Sequence, residues 1–290
     1  RRGRRPPLLE AALARALPEQ SVPSSLFETQ VGALPELVRR LRELYELSGT
    51  RPGRVSLLLP DNLAKVALLT LPERPGSRRQ LEEVIRFKLR RAVPFRLEET
   101  SLSYQVLGGV GREIVLLVVL ARRAIVEHYE QALAAIGARV GMIDITTPSL
   151  FNLCRARLAA AGGEGDVALL NCSQRYFSLL IARGGRLIFY RCKTYAATEG
   201  ENGAPNGQLT REIANSLSYY QDKLAGTGLR GVLVRSVAEP FPALAARLGE
   251  LGLAGIEPIV PAPYVEVGPA LEPELQQRVI PAVGAATGGR

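Results

Sequence analysis

The chain has 290 residues, 47% of them hydrophobic, with 28 glycines and 20 prolines, a turn-rich globular composition long enough for two domains. No run of about eighteen apolar residues occurs, so no stretch reads as a transmembrane helix, and three scattered cysteines (Cys154, Cys172, Cys192) with a single His128 argue against a zinc site or a disulfide scaffold and fit a reducing compartment. The 37 Lys and Arg against 28 Asp and Glu give a formal charge of +9, which suits an anionic membrane, an acidic partner, a nucleic acid or a merely solvated arginine-rich face, and selects none of them.

The start, Arg1, Arg2, Gly3, Arg4, Arg5, has neither an initiating Met nor a signal-peptide core, which points to residues preceding Arg1. Residues 7–17 predict a short helix. Leu34, Leu37, Val38, Leu41, Leu44 and Leu47 predict an amphipathic helix ending before Gly49. Val55–Leu59 and Val66–Leu71, separated by Pro60 and Asp61, read as two strands in a hairpin or adjacent pair. The sharpest signals run from Ser77 to Leu120. Leu81, Val84, Ile85, Leu89 and Ala92 mark one helix face, Ser77 with Gln80 resembles a capping box, and Pro94 stops the helix near Ala92. Leu102, Tyr104 and Val106 then alternate with Ser101, Ser103 and Gln105 as in a half-solvated strand. Gly108–Gly111 is a loop, and Ile114–Leu120 is apolar throughout, as in a covered strand.

A second amphipathic helix carries Ile125, Tyr129, Ala132, Leu133 and Ile136 and ends at Gly137. Val140–Ile145 is a strand, and a helix opens around Pro148 and runs to about Ala160. Gly162, Gly163, Glu164 and Gly165 form a loop and a domain boundary. Three strands, Val167–Leu170, Phe177–Ala182 and Leu187–Tyr190, follow as an antiparallel meander. Residues 197–207 read as a mobile loop. Beyond them come a helix from Leu209, a strand at Val232–Val234, a helix over 241–250, a strand at Ile256–Val260 and a last helix from Glu272 to Ile280, resuming past Pro281. The fold class is α/β, with two related lobes.

Catalytic chemistry needs a base, a nucleophile and polar stabilisers together, and no such cluster is visible. His128 has no partner at metal-ligand spacing and reads as an exposed or half-buried structural histidine. Asp144, at a strand end before Thr146 and Thr147, fits a helix cap or a ligand contact. Neither phosphate-loop pattern, GxxxxGKS or GxGxxG, is present. The small residues Ala282–Gly289 suit close helix packing better than nucleotide approach. Arg78, Arg79, Arg86, Lys88, Arg90, Arg91 and Arg96 concentrate charge around one helix, with no nucleic-acid-binding motif and no tryptophan, a patch that would equally suit anionic lipid headgroups. The preference for a membrane-adjacent surface over nucleic acid comes from resemblance rather than from charge.

The strand pair at 55–71, the run Leu81-Glu82-Glu83-Val84-Ile85, Val93-Pro94-Phe95 with Glu98 and Glu99, and Tyr104–Leu107 resemble the PilM family, the actin-like proteins of type IV pilus assembly. The resemblance continues through Val115–Ala121, Ile143-Asp144, Ser149–Leu153, Leu209–Tyr220 and Ala282–Gly288, covering most of residues 54–289. It implies the FtsA/PilM variant of the actin/Hsp70 ATPase fold, two lobes with an inserted small subdomain. Residues 1–72 would begin large subdomain 1A, with its first phosphate hairpin out of view. Residues 73–137 would form inserted subdomain 1C, residues 138–164 the rest of 1A, and residues 165–290 the second lobe, with a reduced insertion at about 197–229.

By the same resemblance, the chain is a scaffold at the cytoplasmic face of the inner membrane. It binds the N-terminal cytoplasmic peptide of a PilN-like bitopic protein and links it to motor and platform proteins. The alternatives are the GspL-like component of type II secretion, or an active switch binding ATP and Mg2+. Family members bind ATP in the central cleft, with an acid, a glycine and a later Thr or Ser at the phosphate hairpin. Asn171 and Ser173 stand where the acid and glycine would be, Ser178 lies in the same stretch, and Ser236 replaces part of a glycine-rich adenosine loop. The resemblance thus implies a degenerate site, no cofactor and no catalysis. The peptide groove would draw on Leu57, Leu59, Val66, Leu68, Ile85 and Leu89.

Overall fold

The computed structural model describes residues 6–17, 23, 25–28, 32–93, 95–163, 165–195, 207–268 and 271–288. In chain order its first half runs β1 (Leu8–Leu9), α1 (Leu34–Ser48), β2 (Arg54–Leu59), β3 (Ala64–Leu71), α2 (Arg78–Leu89), β4 (Thr100–Gly108), β5 (Ile114–Arg122), α3 (Arg123–Ala134), β6 (Arg139–Ile145) and α4 (Thr146–Gly162). The second half runs β7 (Asp166–Cys172), β8 (Tyr176–Arg183), β9 (Arg186–Thr194), α5 (Gly207–Leu224), β10 (Leu229–Ser236), α6 (Phe241–Glu250), β11 (Ile256–Pro258), β12 (Glu266–Val267) and α7 (Pro273–Gly288). Among the described residues, no helix is long and apolar enough to cross a membrane.

β2 and β6 lie side by side in parallel, and everything between them is an insertion. Its core is an antiparallel sheet of order β3-β5-β4. β5 is apolar on both faces because both are covered. Leu116, Val118 and Leu120, all 0% exposed, face α2, while Leu117, Val119 and Ala121 face the rest of the molecule. α2 is held against the first face by Leu81, Ile85 and Leu89, one residue per turn. The Ser77 hydroxyl accepts a hydrogen bond from the Gln80 N–H at 3.2 Å, an N-cap worth about 1 kcal/mol.

The second half is a five-stranded sheet of order β11-β10-β7-β8-β9. The β7–β8–β9 meander is antiparallel, as its short connections require, and β10 joins β7 in parallel. One face packs on α5 and α6 through Leu170, Phe177, Leu209, Ile213 and Leu244. The other packs on α4 and α7 through Leu169, Leu180, Leu150, Leu158 and Ile280. Coverage on both sides explains why all seven residues of β7 are buried.

Three expectations change. Residues 7–17 form no helix: Leu8 and Leu9 instead pair in parallel with Glu266 and Val267, tertiary pairing overriding a weak local preference. β2 and β3 are not a hairpin. A single 3-10 turn, Asp61–Leu63, sends the chain out of the β2–β6 pair and into the inserted sheet, with Asp61 and Leu63 both 0% exposed. The last helix is continuous through Pro281 rather than interrupted there. Pro94, residues 197–206 and Gly289 lie outside the described residues.

Candidate functional site

The Asp61 carboxylate lies where the first half of the chain meets the five-stranded sheet. The turn after β2 carries it inward, and α4 begins directly above it. The Thr147 N–H, one of the helix-start donors that lacks an intrahelical partner, donates to Asp61 Oδ1 at 2.9 Å. The Thr147 hydroxyl donates to Oδ2, which also accepts from Ser178 Oγ at 2.8 Å and Asn171 Nδ2 at 3.1 Å. Asn171 and Ser178 sit opposite one another on β7 and β8, so the strand register delivers both to the same oxygen. Burial pushes the Asp61 carboxyl above its ordinary value, against the hydrogen bonds from Thr147, Ser178 and Asn171.

Asn171 also reaches the other way. Its Oδ1 accepts from Arg235 Nη1 at 2.7 Å, so one amide links a buried carboxylate to a buried guanidinium and its orientation is set by both. Arg235, on β10, is 7% exposed, and burial lowers its pKa. Its Nε donates to the Gln277 carbonyl at 2.7 Å. That carbonyl is available because Pro281, four residues on in α7, has no N–H to take it. The Gln277 side chain returns the contact by accepting from the Ser236 N–H at 3.1 Å. α7 approaches closely because Gly284 has no side chain: a Cβ there would stand 2.8 Å from the Ser149 carbonyl of α4. The terminal small residues are thus used for packing.

The structure brings Asn171 and Ser178 together in this centre. Ser236 lies at its edge and Ser173 beyond it, where its carbonyl accepts from the Tyr195 hydroxyl. Asp144 does not cap α4, because its Oδ1 is taken by the adjacent Ile145 N–H at 2.8 Å and Asp61 has the capping role. His128 is buried at 7% exposure, not half-exposed. Its Nε2 has no hydrogen-bond partner among the described residues, and burial lowers its pKa.

The expected groove residues divide among three cores. Leu57, Leu59 and Val66 share a seam between the β2–β6 pair and the second face of the inserted sheet, where Val119, Val126, Tyr129 and Ile143 are half-buried. Leu68 packs toward the five-stranded sheet. Ile85 and Leu89, at 0% and 4% exposure, lie under α2 and are closed to any ligand, because the spacing that suggested a contact face is the spacing that buries them. On the outer side of α2, Phe87 is 79% exposed. It lines two grooves, one of about 840 Å³ with Arg86, Arg90, Phe95, Arg96 and Glu98, the other of about 670 Å³ with Leu71, Pro72, Glu73, Glu83, Val84 and Lys88.

A parallel pair interrupted by an inserted sheet, joined through a buried polar centre to a second sheet covered by helices on both faces, defines a two-lobed protein of the actin-like class. The structure superposes on that of a PilM-PilN type IV pilus biogenesis complex with a TM-score of 0.77 at 21% identity, covering 96% of this chain and 89% of that one. It is less similar to a Bacteroides thetaiotaomicron protein with an actin-like ATPase fold (TM-score 0.48, 11% identity, 89% of this chain and 86% of that one). A third similarity is to the cytoplasmic domain of EpsL, an inner membrane component of the type II secretion system of Vibrio cholerae (0.45, 13%, 89% and 81%). No curated protein sequence matches. The profile of the type IV pilus assembly protein PilM family matches residues 9–216, and the chain belongs to that family.

Proposed function

We propose that the protein is a non-catalytic scaffold of type IV pilus assembly that docks the N-terminal cytoplasmic peptide of a PilN-like bitopic membrane protein, holding it at the inner membrane for motor and platform proteins. The observation that carries this is the similarity, along 96% of the chain, to the PilM-PilN complex. The seam supports it. Leu57, Val119, Val126, Tyr129 and Ile143 offer a half-buried apolar lining over the closed core of Leu59, Val66 and Ile145, the kind of surface that takes alternate side chains of an extended peptide.

The scaffold works without nucleotide. Two oxygens of Asp61 already accept four hydrogen bonds from the chain itself, so a magnesium ion there would have to displace them. Arg235 occupies the remaining face of Asn171. Calorimetric titration with the partner's N-terminal peptide and, separately, with magnesium ATP tests both parts. Peptide binding that Leu57→Asp weakens at least tenfold is expected. Absence of peptide binding overturns the scaffold reading, and heat on adding ATP overturns its nucleotide independence.

A further inference from the structure

We propose that the outer face of α2 is a second docking surface, which takes an acidic protein segment whose apolar side chains seat in the grooves on either side of Phe87. The alternation of β5 sets its position: the seam proposed above faces one side of the inserted sheet, and α2 covers the opposite side. A partner on α2 therefore leaves the seam accessible.

The charge on α2 is graded along its length. In the first turns Arg78 pairs with Glu82 and Arg79 with Glu83, each at 3.0 Å, and this part is neutralised from within. Towards the end, Arg86 donates to the Leu97 carbonyl at 2.8 Å, and Arg122 lies 4.5 Å over the Phe95 ring, fixing the far wall of the larger groove. Lys88, Arg90 and Arg91 are exposed and have no ion-pair partner among the described residues. Cations near a helix C-terminus are favoured by its dipole, and that alone accounts for their presence. It does not account for Phe87, an aromatic side chain 79% exposed in the same turn, which joins no hydrophobic core among the described residues.

Concave walls distinguish the candidate occupants. A half-open groove of about 840 Å³ can seat side chains, as peptide grooves do, whereas a bilayer meets a protein as a plane and would use only the protruding ring and the cations. Arg90 on the larger groove, with Lys88 and Arg91 beside it, has no ion-pair partner among the described residues and complements carboxylates flanking apolar residues, while Glu73 and Glu83 on the smaller groove direct those carboxylates to the larger one.

The probe is a fluorescent amphipathic peptide of about 15 residues, with Leu and Phe at helical spacing and Glu elsewhere, compared with isosteres carrying Gln or Lys in place of Glu. Anisotropy titrations on the intact chain should give binding of the acidic peptide about tenfold tighter than the Gln form, with the difference collapsing at high salt. Phe87→Ser and the triple change Lys88→Glu, Arg90→Glu, Arg91→Glu should each weaken it at least tenfold, with the melting temperature and the affinity for the PilN-like peptide unchanged. Equal binding of the three peptides, or indifference to both variants, overturns the proposal. So does binding of phosphatidylserine vesicles through the same residues when the acidic peptide does not bind, which would make this face a lipid contact. The PilN-like peptide is measured separately, so the two surfaces stand or fall independently.

Discussion

The centre around Asp61 and the outer face of α2 treat their side chains in opposite ways. The centre is polar, buried and fully paired, with a carboxylate, an amide, two hydroxyls and a guanidinium each answering another. The outer face of α2 is apolar and cationic where it meets water, with Phe87 exposed and Lys88, Arg90 and Arg91 without an ion-pair partner among the described residues. Each polar group of the centre is already held by another, while the exposed ring and its neighbouring charges face solvent. On the proposed reading, recognition lies on the surface of the inserted sheet rather than between the lobes.

Asp61→Ala should have the largest effect. It strands the Thr147 N–H and the Ser178 hydroxyl and leaves Arg235 buried without a counter-charge, so a loss of about 3–5 kcal/mol is expected in urea unfolding. A loss under about 1 kcal/mol would mean that water reaches the centre and would erase the contrast. Asn171→Asp should cost about 1–3 kcal/mol near neutral pH, because it replaces donors to Asp61 with a second carboxylate. Two facing acids hold their folded pKa above the unfolded value. Stability is then fully present below the unfolded pKa and lost as pH rises through the raised one, so the variant should approach the parent as pH falls; a deficit independent of pH would contradict this.

The pair of partly exposed Arg183 and buried Asp166 tests the middle ground. The hydrogen bond from Arg183 holds the Asp166 carboxyl below its ordinary value. Its stabilisation is therefore present above the unfolded pKa and lost as pH falls through the lowered one. With Arg183 41% exposed, Arg183→Gln should cost only about 1 kcal/mol near neutrality, and less in acid. Phe87→Ser should have the smallest effect on stability, within about 0.5 kcal/mol, since the ring packs on little. A larger loss would show Phe87 to be part of the core.

Much of the fold was legible because its elements announce themselves locally. Ser77 caps α2 as its spacing suggests, and the unbroken apolar run of β5 does lie between two covered faces. Asn171 and Ser178 were visible only through resemblance, and their meeting depends on the β7–β8 register. Asp61 reads as an ordinary turn residue after Pro60, because Thr147, Asn171 and Ser178, which define it, are distant in sequence. Its signal was an acid flanked by the apolar runs of β2 and β3. Pro281 reads as a helix breaker, and only the approach of Arg235 shows what its missing N–H makes available. Phe87 is legible as well, since it falls off the Leu81, Ile85, Leu89 face, between Arg86 and Lys88.

The inserted sheet opens and closes on one rung, with Ala64 at the start of β3 paired to Ala121 near the end of β5. The chain therefore leaves the body and returns to it at neighbouring points, where Ala64, Val66 and Ala121 share one core with Leu59 and Ile145 of the β2–β6 pair. A module attached in this way can vary at its far end, towards Leu71 and Ile114, while the rungs at Ala64 and Ala121 and the Asp61 centre stay in place. Through such variation, one body could acquire new partners without being redesigned.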